Sequence, residues 1–326
     1  MPARPPRSRT VGSIIAWALN GSAIILLLAI LITYFTRQPA QASSLPFVYL
    51  GGTPRPTSTA VPTSFYLPTV TPNPIATPIE DHSTPTPFVF SSGPAPGIIG
   101  YSVLGEPLYA YAFGNGERRY LIVAGIHGGY EGNTTDLANQ LALHLADHVE
   151  VVPGDATLYI ITNMNPDGTA RGRNVDGRTN SNGVDLNRNF PSRNWVPDWD
   201  HRNCWNSRPT TGGPSGGSEP ETRAVVNFIG SHRIRALISY HSAALGVFPG
   251  GDPWQPASER LASALSDATG YPYPPIDIGC NYTGTLADWA VENGVGAAVD
   301  MELSTHQAAE FSRNLRAVRV LLGFGE

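Results

Sequence analysis

The sequence predicts an α/β fold, in which residues 100–326 form a single domain around a mixed, mostly parallel central sheet flanked by helices. Short apolar runs of strand length alternate there with segments of helical spacing. Prolines are concentrated before this domain, because 13 of the 30 lie within 38–99. Alternating strands and helices favour a sheet that helices cover on both faces.

The expected strands and helices follow from hydrophobic spacing and turn residues. The predicted strands are 108–113, 120–126, 157–162, 236–240 and 296–303. The predicted helices are 133–149, a helix ending near Ser231, 257–268 and 307–322. The loop Gly114-Asn115-Gly116 indicates a hairpin between the first two strands. Ser218-Glu219-Pro220-Glu221 resembles a capping box that opens the second helix.

Residues 13–35 are uncharged and apolar, and predict one transmembrane helix. A helix of this length spans about 34 Å, enough to cross a bilayer. Three arginines precede the run and only one closely follows it, which predicts that residues 1–12 are cytoplasmic and that the later residues lie outside. The alternative is a signal peptide cleaved near Ala42, after which the protein is secreted.

Residues 38–99 predict a disordered linker rich in proline and threonine. Such a segment buries too little apolar surface to fold, and its prolines favour extended polyproline II. At about 3.1 Å per residue it reaches up to about 190 Å, enough to project a domain into a cell wall.

Composition excludes several kinds of chemistry. The net charge is −5, and all 21 cationic side chains are arginine. Without lysine there is no phosphate loop of the Gly-Lys-Ser/Thr type and no Schiff-base catalysis. The negative charge and scattered arginines also argue against nucleic acid as a partner.

Two cysteines, Cys204 and Cys280, lie in the domain that the sequence predicts to be exported. An oxidising compartment and an even number of cysteines favour a disulfide between them. The alternative is two separate buried thiols.

Polar residues follow several predicted strands, at the edge where an α/β sheet usually carries its site. His127 and Glu131 follow the strand 120–126, and His241 follows the strand 236–240 directly. Glu302 lies within the strand 296–303. Two histidines and a glutamate leave one coordination position of a hydrolytic zinc free for water. A further glutamate is then needed to take a proton from that water.

Residues 100–326 resemble the M14 family of zinc metallocarboxypeptidases, and most of all its bacterial members. The most specific segment is GVDLNRNF at 183–190. It follows NPDG at 165–168 and precedes SYHS at 239–242 and MEL at 301–303, in the order of the family.

The resemblance implies one Zn²⁺ held by His127, Glu131 and His241. It also implies that Glu302 acts first as a general base and then as an acid. Guanidinium groups suit the remaining roles, because they bind carboxylates and stabilise developing oxyanions.

The same resemblance assigns two substrate-binding residues and a second catalytic residue. Asn187 and Arg188 would bind the free carboxylate of the substrate, although Arg188 could instead pair with Asp185. Arg178 would stabilise the oxyanion, with Arg171 and Arg173 as nearby alternatives.

Two positions depart from the family pattern. Glu131 lies four residues after His127, whereas the family spacing is three; flexible backbone at Gly128-Gly129 could absorb the extra residue. The active-site tyrosine of the family is matched most nearly by Tyr282, but gap-free counting gives Cys280 instead.

These features predict a monomeric, membrane-anchored zinc carboxypeptidase acting outside the cytoplasm on peptides with a free carboxylate. Peptidoglycan stem peptides are one candidate substrate. Alternatives are a zinc deacylase of small N-acyl-amino acids and a non-catalytic wall-peptide-binding domain with a damaged metal site. Ala287, in the expected specificity pocket, argues against a charged pocket floor.

Overall fold

A computed structural model describes residues 93–199, 204–205, 207–208 and 210–325. The predicted cytoplasmic segment 1–12, the transmembrane helix 13–35 and residues 38–92 of the predicted linker lie outside the described residues. Within the described part of the chain, no helix is both long enough and apolar enough to cross a membrane.

One seven-stranded sheet organises the described residues. Its strands are β1 (Gly93–Tyr101), β2 (Pro107–Gly114), β3 (Arg118–Val123), β4 (Ala156–Ile161), β5 (Ala236–Ser242), β6 (Val247–Pro249) and β7 (Ala297–Leu303). Their order across the sheet is β1-β2-β4-β3-β5-β7-β6. The four central strands are parallel, and β1, β2 and β6 are antiparallel to their neighbours. The sheet is therefore mixed as predicted, but parallel only in its centre.

Helices cover both faces of this sheet. The α-helices of the described residues are α1 (Gly132–Asp147), α2 (Pro166–Ala170), α3 (Pro220–His232), α4 (Pro256–Thr269), α5 (Leu286–Glu292) and α6 (Phe311–Gly323). Buried residues of α1, α4 and α6 form one core with the sheet, and those of α3 and α5 form a second core.

Strand β5 shows why the central runs are continuously apolar. Ile238 belongs to the first core, whereas the adjacent Leu237 belongs to the second. Because successive side chains point to opposite faces and both faces are covered, every position of a central strand favours an apolar residue.

The predicted hairpin between the first two runs is wrong. Strand β4 lies between β2 and β3, antiparallel to the first and parallel to the second. The glycine-containing loop does turn the chain, and the Gly116 amide bonds the Ala156 carbonyl at the start of β4 at 3.1 Å. A turn signal locates the reversal but does not identify the strand that pairs beside it.

The linker boundary is also wrong at its carboxyl end. Residues 93–99 belong to β1, which pairs with β2 at the edge of the sheet. Proline is tolerated on an edge strand, where missing N–H groups need not interrupt a ladder. Gly100 lies so close to α3 that an added Cβ would stand 2.5 Å from the Ala224 Cβ.

Two predicted helix starts differ from the structure. Glu219 precedes α3 without a side-chain capping bond, and the Ser218 hydroxyl donates instead to Glu219 at 2.6 Å. Helix α6 begins at Phe311, because residues before it form a loop whose Thr305 and Ala308 carbonyls accept from the Asn133 amide.

The fold brings separate polar segments to one edge of the sheet. His127 follows β3, His241 lies near the end of β5, and Glu302 lies near the end of β7. His241 and Glu302 are register partners on adjacent strands. This is the carboxyl edge of the parallel strands, where α/β sheets usually bind ligands.

Candidate active site

His127 and Glu131 are joined by a hydrogen-bonded turn that leads into α1, with Gly128 at a φ of +44°. The Glu131 amide bonds the His127 carbonyl at 3.4 Å, and the imidazole Nδ1 lies 2.8 Å from Glu131 Oε1. This turn brings the two side chains together, so the extra residue does not separate the pair. Gly129 makes the turn possible, because an added Cβ would stand 2.2 Å from the Gly172 carbonyl oxygen.

His241 completes a buried cluster with these two residues. Its Nδ1 lies 3.3 Å from His127 Nδ1 and 3.2 Å from Glu131 Oε2. The candidate ligand atoms of the three residues all lie within 4.8 Å of one another. Ligands about 2.0–2.2 Å from a tetrahedral zinc stand about 3.3–3.6 Å apart, so the donor types and their spacing fit Zn²⁺.

Asp185 supports this cluster from behind and was not predicted to take part. Its Oδ1 lies 3.1 Å from His127 Nε2, and its Oδ2 accepts from Arg178 Nε at 2.9 Å. A carboxylate in this position fixes the tautomer and orientation of a ligating histidine. The sequence gave one indication of this role, because Asp185 is the only acidic residue in the segment 183–190.

The second histidine is held in a similar way. His241 Nε2 lies 3.0 Å from the Ser239 hydroxyl and 3.2 Å from the Asn187 side-chain amide. Both histidines therefore turn Nδ1 towards the cluster and use Nε2 for support.

Positive charge on the histidines stabilises the Glu131 carboxylate in this cluster. Burial raises the pKa of Glu131, but His127 and His241 outweigh burial and hold it well below its usual range. Burial lowers the pKa of His241, but Asp300 and Glu131 outweigh it and raise this pKa to about 10. A bound metal ion would supply the positive charge that an imidazolium otherwise provides, and would leave both imidazoles neutral.

Glu302 lies beside the cluster with one oxygen unpaired. Its buried Oε2 has no hydrogen-bond partner among the described residues. Burial, followed by repulsion from Glu131, raises the pKa of Glu302 to about 8. A carboxyl group with such a pKa exchanges a proton readily near neutral pH.

Arg178 lies beside the His-Glu-His cluster. Its Nη1 lies 3.6 Å from Glu131 Oε1, and its guanidinium stacks 4.5 Å from the centre of the Trp205 ring. The two alternatives serve elsewhere: Arg171 binds the carbonyls of the loop that carries Arg178, and Arg173 pairs with Asp136 on the surface.

Arg188 is buried between two aromatic rings, and its Nε has no hydrogen-bond partner among the described residues. Its guanidinium lies 4.5 Å from the Trp199 ring centre and 5.3 Å from that of Tyr282. Nη1 donates to the Asn187 carbonyl at 2.8 Å, whereas Nε has no hydrogen-bond partner among the described residues. The alternative pairing with Asp185 is not found, because the carboxylate oxygens of Asp185 bind His127 and Arg178.

Asn187 lines the cavity but is already engaged on both sides of its amide. Its Oδ1 accepts from the Leu286 N–H at 2.9 Å, and its Nδ2 donates to Asp300 Oδ2 at 3.2 Å. The Asn187 side chain therefore links the segment that carries Arg188 to α5 and β7.

Tyr282 lies in the cavity beside Arg188, and burial raises its pKa to about 12. Its ring packs edge-on against Phe248 at 5.1 Å between centres. The predicted disulfide between Cys204 and Cys280 is present, so the gap-free alternative for the tyrosine is a bridged cysteine.

All eight predicted site residues line one cavity of about 930 Å³. They are His127, Glu131, Arg178, Asn187, Arg188, His241, Tyr282 and Glu302. Ala287 lines it as expected, but so do Asp288 and Asp300. Strand β7 and helix α5 contribute these carboxylates to the cavity, and the expectation that the pocket floor at Ala287 is uncharged stays a prediction.

A buried His-Glu-His cluster at the carboxyl edge of an α/β sheet, with a further glutamate beside it, defines a metal-dependent hydrolase site. The family model of the Peptidase_M14 zinc carboxypeptidases matches residues 96–315. The chain belongs to this zinc-dependent peptidase family, and its cofactor is zinc.

Two curated relatives are bacterial. Murein peptide amidase A of Escherichia coli K12 is 30% identical over 202 residues, which cover 59% of this chain and 75% of the relative. Gamma-D-glutamyl-L-diamino acid endopeptidase 1 of Lysinibacillus sphaericus is 26% identical over 247 residues, covering 64% of this chain and 60% of the relative.

Solved structures share the fold. Bovine thrombin-activatable fibrinolysis inhibitor, in complex with tick carboxypeptidase inhibitor, superposes with a TM-score of 0.58 at 21% identity, covering 70% of this chain and 88% of that one. Murein-tripeptide amidase from Escherichia coli O157 superposes with a TM-score of 0.52 at 22% identity, covering 74% and 99%.

Proposed function

We propose that this protein hydrolyses the peptide bond next to a free carboxylate of its substrate, as a metallocarboxypeptidase. The observation that carries the proposal is the buried guanidinium of Arg188, whose Nε has no hydrogen-bond partner among the described residues, in the same cavity as the His-Glu-His cluster and Glu302. A planar fork of donors suits a carboxylate better than any other common anionic group on a peptide.

Three residues of the cavity then have defined roles in the reaction. Arg188 binds the terminal carboxylate, which positions the scissile bond near Glu302. Glu302 takes a proton from the attacking water at its unpaired oxygen, while the water oxygen forms a bond to the scissile carbonyl carbon. It returns that proton to the amine nitrogen as the C–N bond breaks. Arg178 donates to the oxyanion that develops on the scissile carbonyl. Zinc, when bound, supplies a Lewis acid that lowers the pKa of water and polarises the carbonyl.

The names of the two bacterial relatives support wall peptides as the substrate class. One is a murein peptide amidase, and the other is an endopeptidase for a bond between γ-D-glutamate and a diamino acid. A stem peptide offers a free carboxylate next to an amide bond, which matches the proposed clamp. We therefore favour a peptidoglycan stem peptide over general peptide scavenging.

The same proposal places the domain outside the cytoplasm, attached to the membrane through residues 13–35. The disulfide between Cys204 and Cys280 supports this location, because such bonds persist in oxidising compartments. The cleaved alternative near Ala42 also exports the domain and is distinguished by the mass of the mature protein.

A peptide pair tests the proposed activity. The full-length protein is assayed on a peptide with a free terminal carboxylate and on the same peptide with a terminal amide. We expect the amide to lose at least about tenfold in kcat/KM, since a hydrogen-bonded charge contributes about 1.5–3 kcal/mol. Equal hydrolysis of both peptides would contradict a carboxypeptidase. Faster hydrolysis of an N-acetyl-amino acid than of the free peptide would instead support the deacylase.

A further inference from the structure

Trp205 is a buried aromatic residue of the cavity that has no role in the proposed reaction. Only 6% of the residue is exposed, and it lines the same cavity as the His-Glu-His cluster. Its indole ring lies against the guanidinium of Arg178, with 4.5 Å between the ring centre and Cζ. Trp205 belongs to neither hydrophobic core of the described residues, so packing against the sheet does not explain its burial.

Tyr130 gives the same guanidinium a second aromatic neighbour. Its ring centre lies 5.8 Å from Arg178 Cζ. The Tyr130 ring also meets the Trp205 ring edge-on, with 4.9 Å between centres and 77° between planes. These two rings, which we call the aromatic corner, therefore stand nearly at right angles beside one guanidinium. Aromatic faces attract a guanidinium through the negative charge of their π-electrons.

Both rings of the aromatic corner are held by other groups. Trp205 Nε1 donates to the Arg208 carbonyl at 2.8 Å. Tyr130 packs against His306 with 4.7 Å between ring centres, and His306 Nδ1 lies 3.0 Å from the Ser242 hydroxyl. The corner is therefore in place before a substrate arrives.

The ion pair with Asp185 does not by itself fix the plane of the guanidinium. Arg178 Nε and Nη2 both contact the same oxygen of Asp185, Oδ2, at 2.9 and 2.8 Å. A fork that meets two carboxylate oxygens has a defined orientation, whereas a fork on one oxygen can tilt about it. A tilt changes the direction of Nη1, which lies 3.6 Å from Glu131 Oε1. The ring of Trp205 against the guanidinium face opposes that tilt.

We propose that Trp205, together with Tyr130, is a positioning residue that keeps the Arg178 guanidinium oriented towards the oxyanion. The inference rests on the proposed hydrolase function, in which Arg178 donates to that oxyanion, and adds the residues that orient the donor. Trp205 itself touches no reacting atom. Because the oxyanion develops only during the reaction, loss of this orientation lowers kcat and leaves KM unchanged.

Substitutions of Trp205 test the proposal through the separation of kcat from KM. Trp205→Leu should lower kcat by about tenfold or more, at constant KM and constant zinc content. Trp205→Phe keeps an aromatic face and should stay within about threefold of the native kcat. The matched control is Trp254→Leu, at a tryptophan that lines the same cavity but is 42% exposed, and it should keep the native kcat. A native kcat in Trp205→Leu, or a change confined to KM, would overturn the proposal.

A double-mutant cycle shows whether Trp205 acts through Arg178. Arg178→Lys keeps a charge beside Asp185 but removes the planar group that stacks on the ring. In that background, Trp205→Leu should lower kcat by no more than about twofold. A further loss as large as in the native background would overturn the proposal and make Trp205 a structural residue of its loop. The cycle uses a peptide or an N-acetyl-amino acid, whichever the native protein hydrolyses, because an oxyanion develops in both reactions.

An NMR measurement separates this proposal from the proposed function, because it needs no turnover. The ring current of the indole shifts the Nε–H signal of Arg178, which is identified by its loss in Arg178→Lys protein. Trp205→Leu should move this signal and speed its exchange with water, and Trp254→Leu should do neither. These changes in a protein that hydrolyses neither substrate would overturn only the proposed function. An Arg178 signal that Trp205→Leu leaves unchanged would overturn the positioning role.

Discussion

Two walls of the cavity differ in how completely their polar groups are paired. The metal wall consists of His127, Glu131, Arg178, Asp185 and His241. None of its buried side-chain nitrogens or oxygens lacks a hydrogen-bond partner. The pocket wall consists of Arg188, Tyr282 and Asp300, and it leaves Arg188 Nε and Asp300 Oδ1 unpaired.

The paired groups are positioned for the reaction in advance, whereas the unpaired groups are available to bind the substrate. Groups on the metal wall are held by one another, so they are oriented before a substrate arrives and need no rearrangement during the reaction. Groups on the pocket wall retain unused hydrogen-bonding capacity, which a substrate can satisfy. Glu302 lies between the walls and shares the second property, because its Oε2 is also unpaired.

The largest effect should come from the residue between the walls. Glu302→Gln removes the proton acceptor but leaves the three ligands in place, so kcat should fall by about 10³-fold or more while zinc stays bound. The measurement is steady-state hydrolysis together with metal content. Glu259→Gln on α4, which lines the cavity away from the cluster, is the matched control and should remain active. A Glu302→Gln variant that keeps native turnover would remove Glu302 from the reaction.

A change on the metal wall should act through zinc. Asp185→Asn breaks the buried pair with Arg178 and weakens the support of His127. Zinc affinity should fall about 10- to 100-fold, measured by chelator competition. The variant should also unfold at lower denaturant concentration, because the guanidinium remains buried without its charge partner. Asp136→Asn, in the exposed pair with Arg173, should change neither property appreciably.

A change on the pocket wall should act through substrate binding. Arg188→Lys keeps the charge but replaces the planar fork by a point charge, so KM should rise by about tenfold or more while zinc content stays constant. Arg193→Lys, at an exposed position near the cavity, is the control. An unchanged KM for Arg188→Lys would mean that another group binds the carboxylate.

The smallest effect should come from the disulfide between Cys204 and Cys280, the second of which lies two residues before Tyr282 of the pocket wall. Replacing both cysteines together by serine should raise KM a few-fold, because both line the cavity. The variant should still bind zinc. A loss of zinc on this substitution would show that the two walls are not independent.

Much of the metal wall was predictable from the sequence. The ligands and Glu302 lie in short motifs at the ends of apolar runs, and those runs are apolar at every position because helices cover both faces of the sheet. The glycines after His127 indicated that a longer turn could still bring Glu131 to the metal, and the structure shows the pair in contact.

Long-range pairing accounts for most of what the sequence did not predict. The turn at 114–116 gave no sign that β4 pairs between β2 and β3, and proline-rich residues 93–99 gave no sign of an edge strand. Asp185 and Asp300 were missed as partners of the two histidines and of Asn187, since those contacts join residues 58 or more positions apart. Composition and spacing describe local segments, whereas these contacts depend on strand order and register.

The most direct test of the zinc centre is the metal content of the purified full-length protein, combined with its activity before and after chelation. The account predicts one zinc per chain, loss of hydrolysis when a chelator removes it, and recovery when zinc is restored. His241→Ala should bind no stoichiometric zinc and should not recover. A native protein without stoichiometric zinc, or one whose hydrolysis persists after zinc is removed, would contradict the account.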